Sequence, residues 1–246
     1  AQENPLFTVR HLKKRFQNEE GVNDVSFDIC EGEVFALAGE SGSGKTTLAK
    51  ILTGLEQPDS GEVFCRGERV DRKNRKRNKN MHGKVRMIFQ DPYSSLNPCM
   101  TINEMLTETL RAKEKQIKFD QKERKKDRQR QIEQMLTRVG LSSLDGKRYP
   151  RELSGGQRQK AAIARALLLE PELLICDEAV SSLDAATRTQ ILDLLLRVVK
   201  EKKIACLFIS HDMALIRRIS HRTGVLYKGT LAECAKTRDL CRDPWH

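Results

Sequence analysis

The 246-residue sequence predicts an α/β fold that includes an antiparallel β sub-domain and an inserted helical sub-domain. Short apolar runs, typical of buried strands, occur at 33–38, 85–89, 173–176 and 204–209. The stretches 7–12 and 21–29 instead alternate apolar and polar residues, as half-buried strands of an antiparallel sheet do. From 91 to about 150, apolar residues recur at steps of three and four, which indicates helices.

A glycine-rich loop follows the first of the predicted buried strands. Residues 39–47 match the phosphate-binding P-loop pattern at every fixed position. The glycines leave backbone N–H groups open to a nucleotide triphosphate, because no Cβ blocks the approach. The residues at 46–52 are predicted to form a helix whose positive N-terminal end faces the phosphates. The sequence therefore predicts a P-loop NTPase core.

The chemistry of a triphosphate assigns roles within this loop. We expect Lys45 to reach the outer phosphates and the hydroxyl of Thr46 to ligate magnesium. The expected nucleotide-binding residues of the loop are Gly39, Glu40, Ser41, Gly42, Ser43, Gly44, Lys45, Thr46 and Thr47.

Polar side chains follow three of the predicted buried strands. Gln90 comes after the strand at 85–89, where it could reach a metal ion or an attacking water. Asp177 and Glu178 end another strand, and ligands bind at the C-terminal edge of such strands. We expect Asp177 to hold magnesium, and Glu178 to act as a base or to position water at the γ-phosphate. His211, which follows the strand at 204–209, is expected at the same edge.

Two further positions allow either a binding or a structural interpretation. Phe16 stands alone in a charged stretch, where it could stack on an adenine or make a core contact at a strand end. Ser154 is a good N-cap for a helix predicted at 158–169, and Gly155 and Gly156 leave N–H groups open to an anion. Taken alone, this second pattern also fits an ordinary helix start.

Composition restricts the class of protein. Seven cysteines without a C-x-x-C pair argue against a disulfide framework and a zinc site, and the pair at 234 and 241 is only a weak metal candidate. No apolar run approaches the ~20 residues needed to cross a bilayer. The polar start of the chain lacks the apolar region of a signal peptide. We expect a protein of the cytosol, or one held by a partner on the cytosolic face of a membrane.

The net charge of +11 raises the hypothesis of a nucleic-acid or anionic-membrane partner. Lys and Arg concentrate at 66–86 and 111–130, and acidic residues are interleaved in the second segment. Phe119 is the only aromatic residue in either segment, whereas binding of single strands favours several stacking side chains. A solvated face is therefore the favoured interpretation of both segments.

Together, the ordered motifs resemble the ATP-binding cassette ATPases over essentially the full length of the chain. The resemblance places the Walker A motif at 39–46, the Q-loop glutamine at Gln90, the signature at 153–157, Walker B at 173–177 with catalytic Glu178, the D-loop at 182–184 and the switch histidine at His211. It implies ATP and Mg²⁺ as cofactors. The metal would be held by Thr46, Gln90 and Asp177, and catalysis would use Glu178, His211 and Gln90.

The resemblance also favours adenine stacking by Phe16. It implies further nucleotide contacts, made by Ser154, Gly155, Gly156, Gln157 and Asp184. The segments 89–98 and 149–159 resemble those of oligopeptide, dipeptide and nickel importers. The chain departs from this pattern at Ala179, where many members have proline. The implied organisation is a single cassette domain spanning 1–246. Its nucleotide-binding core would comprise 1–90 and 156–246, and its helical sub-domain 91–155.

The resemblance implies an ATP-hydrolysing importer subunit that works in an assembly. Two cassettes, identical or different, would pack head to tail, with each ATP between the P-loop of one and the signature of the other. Two transmembrane permease subunits would contact the region near Gln90 and the helical sub-domain, at the cytoplasmic face of the cell membrane. An extracytoplasmic substrate-binding protein would act indirectly, and no nucleic acid is expected as a partner.

Two alternatives remain at this point. A soluble ATP-switched module that acts on nucleic acid is supported only by the net charge of +11. A P-loop kinase would leave the signature and His211 unexplained.

Overall fold

The computed structural model describes residues 5–16, 20–70, 84–91, 95–114 and 121–242. Several features discussed above lie at least partly outside these ranges. They are residues 1–4 of the polar start, residues 71–83 of the first basic segment, residues 92–94 of the importer-like segment 89–98, and residues 115–120 of the second basic segment, which include Phe119. Within the described ranges, every helix is too short or too polar to cross a bilayer.

A six-stranded sheet contains the four predicted buried strands. In chain order its strands are β3 (Val34–Ala38), β6 (Val85–Ile88), β7 (Leu173–Asp177), β8 (Ala205–Ile209), β9 (Arg222–Tyr227) and β10 (Thr230–Lys236). Their order across the sheet is β10-β9-β3-β8-β7-β6. β3 runs parallel to β8 and β9, and β7 runs parallel to β8. Every residue of β3, β7 and β8 is buried, as expected for apolar runs in a parallel sheet.

A second, antiparallel sheet confirms the prediction for the N-terminal part of the chain. It consists of β1 (Phe7–Arg15), β2 (Glu20–Ile29), β4 (Ser60–Cys65) and β5 (Glu68–Arg69). Their order is β2-β1-β4-β5. Apolar side chains of this sheet share one buried core with the six-stranded sheet, and the rings of Phe27 and Phe35 stack within it at 5.2 Å. The predicted α/β class is therefore confirmed.

The hairpin formed by β9 and β10 was not predicted from the sequence. These strands pair antiparallel from Thr230 with Tyr227 to Lys236 with Arg222. Both residues of the connecting turn, Lys228 and Gly229, have positive φ, of 44° and 79°. A two-residue turn of this kind matches the right-handed twist of the strands that it joins. The Lys-Gly pair was the signal in the sequence, although it is weaker than Asn-Gly.

The helices, in chain order, are α1 (Lys45–Thr53), α2 (Ile102–Glu114), α3 (Gln121–Arg138), α4 (Ser143–Gly146), α5 (Gly155–Leu167), α6 (Ala185–Lys202), α7 (Met213–Ile219) and α8 (Thr237–Leu240). A 3₁₀ turn, Pro150–Glu152, precedes α5. α5 begins three residues before the helix predicted at 158–169, because Ser154 caps it and both glycines are inside its first turn.

The chain divides into two compact units. The first takes its described residues from Ala1–Met87, Glu172–Glu178 and Leu196–His246, and the second from Ile88–Pro171 and Ala179–Leu195. The second unit is mainly helical: α2 packs on α3 and α5, and α3 packs on α4 and α5. Its core includes Leu106, Leu110, Ile132 and Leu136, which carry the apolar periodicity seen in the sequence.

Candidate functional site

The loop between β3 and α1 has a backbone that requires glycine at two positions. Gly39 has φ +148°, and a Cβ added there would lie 2.2 Å from the carbonyl oxygen of Leu226. Gly44 has φ +102°, and its added Cβ would lie 2.0 Å from the carbonyl oxygen of Gly21. Real Cβ atoms do not approach oxygen this closely, and L-residues rarely adopt such φ values. The fold therefore imposes glycine at both positions, independently of any ligand.

Lys45 is buried at the start of α1, and its ammonium group bonds the loop from inside. Its Nζ donates to the carbonyl oxygens of Gly39 at 2.8 Å and Glu40 at 2.6 Å, and to the hydroxyl of Ser43 at 3.3 Å. Burial lowers the pKa of Lys45, and the nearby carboxylates of Glu178 and Asp177 oppose that shift. These bonds hold a positive charge at the centre of the loop.

The N-terminus of α1 has the features of an anion site. Gly44 is its N-cap residue, and no side chain among the described residues caps it. The N–H groups of a first helical turn then have no intrahelical acceptor and carry the positive end of the helix dipole. Ser41 and Thr46 are exposed at this end, and Thr47 is half-buried. The geometry suits the phosphates of a nucleotide.

The turn between β9 and β10 supports this loop. The N–H of Gly229 donates to the carbonyl of Ser43 at 3.1 Å, and the carbonyl of Gly229 accepts from the N–H of Asn23 at 2.7 Å. Leu226, whose carbonyl lies against Gly39, belongs to β9 of the same hairpin. The β9–β10 hairpin is thus part of the wall of the loop, a role that the loop motif alone does not reveal.

Asp177 lies at the end of β7, opposite the start of α1. The hydroxyl of Thr46 donates to its Oδ2 at 2.9 Å. Burial raises the pKa of Asp177, although the hydrogen bond from Thr46 acts in the opposite direction. The chain thus keeps a buried carboxylate whose charge is only partly compensated.

A magnesium ion fits this pair of residues. Mg²⁺ prefers hard oxygen ligands, and the hydroxyl of Thr46 and the carboxylate of Asp177 are such ligands, already within hydrogen-bond distance of each other. A cation there would also offset the cost of keeping the Asp177 carboxylate buried. Among the described residues there is no group of three or more His, Cys, Asp or Glu side chains that could hold a metal.

Glu178 follows Asp177 and turns its side chain towards His211. The two side chains meet at 2.9 Å, between Oε1 of Glu178 and Nδ1 of His211. The N–H of Glu178 donates to the carbonyl of Ile209 at 3.0 Å, and its φ is +47°. A non-glycine residue in this left-handed region costs about 1–3 kcal/mol and persists only where its surroundings fix it. The parallel pairing of β7 with β8 brings Glu178 and His211 together.

The ring of Phe16 is exposed, at 45% of its full accessible area. It is therefore not part of the apolar core, and the structure contradicts the alternative of a core contact at a strand end. The ring instead borders Gly21, where an added Cβ would lie 2.8 Å from its Cε2 atom. An exposed aromatic face beside the phosphate loop remains available to a base.

The signature residues form a capped helix start in the second unit. The N–H of Gln157 donates to the hydroxyl of Ser154 at 3.2 Å, and the Gln157 side chain accepts from the N–H of Ser154 at 3.0 Å. This is a capping box. The Gln157 amide also donates to Asp145 at 3.1 Å, so its side chain is anchored within the unit. A Cβ added at Gly155 would meet only the end of the Arg158 side chain, at 4.0 Å, whereas one added at Gly156 would lie 2.5 Å from Cγ2 of Thr187.

Two predicted site residues of the second unit are exposed. Gln90 lies two residues beyond Ile88, the last residue of β6. Asp184 accepts a hydrogen bond from the N–H of Thr187 at 3.0 Å in the first turn of α6, and that bond lowers the pKa of its carboxyl. The structure thus brings together the P-loop, Asp177, Glu178 and His211 in the first unit, whereas Gln90, 154–157 and Asp184 belong to the second.

Comparisons with known proteins identify the family of this chain. A family model described as ABC transporter matches residues 22–181. The oligopeptide transport ATP-binding protein OppF of Bacillus subtilis (strain 168) is 42% identical, over 98% of this chain and 79% of that protein. The glutathione import ATP-binding protein GsiA of Escherichia coli (strain K12) is 41% identical, over 98% of this chain and 40% of that protein.

Solved structures resemble the fold throughout. The dimeric structure of MJ0796, described as a bacterial ABC transporter cassette, has a TM-score of 0.83 and 26% identity, over 94% of this chain and 99% of that one. A dimeric structure of the same cassette in a post-hydrolysis state, bound to ADP and Pi, has a TM-score of 0.81. Sequence, fold and site geometry lead to one family. The chain belongs to the ABC transporter family, as one of its ATPase cassettes.

Proposed function

We propose that this ATPase, with magnesium, powers the import of oligopeptides through partner membrane subunits. The assignment of ATPase activity is supported by two side-chain contacts at one edge of the sheet. Thr46 contacts Asp177, and Glu178 contacts His211. Peptide cargo is supported by the names of the relatives, OppF and GsiA. Nickel, the other cargo that the sequence suggested, has no support among these names.

Phosphate binding would use groups that already converge on the loop. The uncapped N–H groups of α1 would bind the phosphates, and Lys45 would exchange its bonds to the loop carbonyls for bonds to the outer phosphates. Thr46 and Asp177 would hold the magnesium ion, which neutralises charge on the phosphates when bound. Phe16 would stack on the adenine.

Hydrolysis would depend on Glu178. Its carboxylate would orient a water for attack on the γ-phosphorus and accept the proton of that water as the bond to the leaving oxygen breaks. His211 would hold the carboxylate in position through the contact at 2.9 Å, and would approach the γ-phosphate with its exposed ring. Gln90 would contact the magnesium ion or the attacking water.

The proposed assembly is based on membership of the ABC transporter family. Two cassettes would enclose each ATP between the P-loop of one and Ser154–Gln157 and Asp184 of the other, and the dimeric MJ0796 structures support such a dimer. The pair would bind two permease subunits at the cytoplasmic face of the membrane, with 91–155 as the helical sub-domain that contacts them. A substrate-binding protein would deliver the cargo outside.

Turnover kinetics test the catalytic assignment. Glu178→Gln keeps the shape of the side chain and removes its basicity, so we expect ATP binding to persist and turnover to fall by about 10²–10⁴-fold. Glu68→Gln, an exposed residue of β5, is the matched control and should leave turnover unchanged. Turnover of Glu178→Gln close to that of the control would place the base elsewhere.

Co-purification tests the importer assignment. The Glu178→Gln chain, with Mg-ATP, would be recovered from detergent-solubilised native membranes and its partners identified by mass spectrometry. Two polytopic membrane proteins are expected, with or without a second cassette. Recovery of nucleic acid or of soluble partners alone would contradict the proposal and support the alternative of a soluble ATP switch.

A further inference from the structure

One residue, Gly21, lies between the exposed ring of Phe16 and the phosphate loop. The ring lies against Gly21, and the carbonyl oxygen of Gly21 lies 2.0 Å from where a Cβ of Gly44 would stand. Gly44 is the N-cap residue of α1. The position of the ring relative to the loop is therefore fixed on the side of β2.

A lysine approaches the same ring from another side. Nζ of Lys14 lies 5.5 Å from the ring centroid of Phe16, within the range of a cation–π contact. The Lys14 side chain is only 15% exposed, although its neighbours Lys13 and Arg15 on β1 are exposed. The ammonium pairs with Glu56 at 3.0 Å and with Asp59 at 3.4 Å. These two carboxylates hold the cation in place beside the ring.

The turn that carries these carboxylates also binds the backbone of β1. The Asp59 carboxylate accepts from the N–H of Arg15 at 2.8 Å, and the N–H of Asp59 donates to the carbonyl of Lys13 at 2.8 Å. The backbone immediately before Phe16 is therefore fixed to the turn at two points. An aromatic side chain at an exposed strand end would otherwise move with that end.

The same turn is bonded to the far end of α1. The N–H groups of Leu55 and Glu56 both donate to the carbonyl of Lys50, at 2.9 and 3.1 Å. α1 has nine residues, which corresponds to a length of about 13 Å. Its N-terminus forms the phosphate site and its C-terminus carries the turn that holds Lys14. One rigid helix thus connects the phosphate site to the support of the ring.

We propose that Lys14, held by Glu56 and Asp59, is a positioning residue for the base of the nucleotide. The ammonium orients the ring of Phe16 and stabilises a base stacked on it, at a spacing from the phosphates that α1 sets. This inference rests on the proposed function, in which Phe16 stacks on adenine. It assigns to the Lys14–Glu56–Asp59 cluster a role in nucleotide affinity that the phosphate-binding motif does not contain.

The test compares a ligand that has a base with one that has none. ATP and inorganic tripolyphosphate would be titrated calorimetrically into the full chain carrying Glu178→Gln, which prevents turnover. Lys14→Met keeps the aliphatic part of the side chain and removes the charge. We expect ATP affinity to fall by about two- to fivefold, the range for a cation–π contact, with tripolyphosphate affinity unchanged. Lys14→Arg should restore ATP affinity.

Lys13→Met is the matched control, since Lys13 is exposed on the same strand. The proposal is overturned if Lys14→Met binds ATP as well as Lys13→Met does, or if it loses ATP and tripolyphosphate affinity equally. Phe16→Ala separates this inference from the proposed function. If Phe16→Ala weakens ATP binding and Lys14→Met does not, only the role of Lys14 fails. If Phe16→Ala leaves ATP affinity intact, the base-stacking role fails and the inference fails with it.

Discussion

Gly44→Ala is the perturbation for which the structure gives the sharpest expectation. The added methyl group would lie 2.0 Å from the carbonyl oxygen of Gly21, and the residue would have to keep φ +102°. Both atoms in conflict belong to backbone or are fixed to it, so no flexible side chain can move aside. The substitution should therefore displace the loop from β2.

Two terms set the size of the effect. Holding a residue with a Cβ at such a φ costs about 1–3 kcal/mol. Displacing the loop would also break its hydrogen bond from Gly229 to Ser43, worth about 1 kcal/mol. The free energy of unfolding should fall by about 2–4 kcal/mol. Gly42→Ala is the matched control, because Gly42 has φ +80° but open space within 4 Å, so only the first term applies.

The assay is urea unfolding of the two variants and the parent chain without nucleotide, so that lost ATP binding does not contribute. Gly44→Ala should unfold at a lower urea concentration than Gly42→Ala. Equal midpoints for the two variants would show that the contact with Gly21 does not constrain the loop. The fold would then not impose glycine at position 44.

Two other predictions concern the acidic residues at the end of β7. Burial raises the pKa of Asp177 above the 3.8 of an ordinary aspartate, so the folded chain binds its proton more readily than the unfolded chain. Stability without magnesium and nucleotide should then fall as the pH rises above about 4, and Asp177→Asn should lack this component in unfolding measured across pH. A parent and variant with parallel pH profiles would contradict this. His211→Ala removes the hydrogen-bond partner of Glu178. Because a hydrogen bond to a charged group is worth about 1.5–3 kcal/mol, kcat should fall by roughly 10- to 150-fold, with little change in the KM for ATP. His11→Ala, an exposed histidine of β1, is the control, and an equal kcat for both variants would remove His211 from the site.

Much of the core could be predicted because its signals are local. An unbroken apolar run such as 173–176 is buried on both faces of a parallel sheet, so the sequence predicted both β7 and the two acidic residues that follow the run. The P-loop is similarly local, since its glycines, lysine and threonine all lie within residues 39–46. For Ser154 the two interpretations proved compatible, because the residue is an N-cap whether or not its helix also meets a nucleotide.

What the sequence did not reveal depends on contacts between distant segments. The support of the loop by Gly229 joins Ser43 to a turn far along the chain, and no pattern near either residue encodes it. The anchoring of Gln157 by Asp145 and the pairing of Lys14 with Asp59 are of the same kind. Charged residues in such pairs look like ordinary surface residues in a sequence, because their partners are set by the fold.

The end of β7 shows how the fold accommodates residues that destabilise it. Asp177 keeps a carboxylate buried, and Glu178 adopts a left-handed backbone that costs about 1–3 kcal/mol. β7 lies between β8 and β6 in the sheet, and its five residues are all buried. The N–H of Glu178 continues the pairing with β8 by donating to Ile209. Since the strand is fixed up to and including this bond, the unfavourable conformation cannot relax, and the Glu178 carboxylate is held against His211 before any nucleotide arrives.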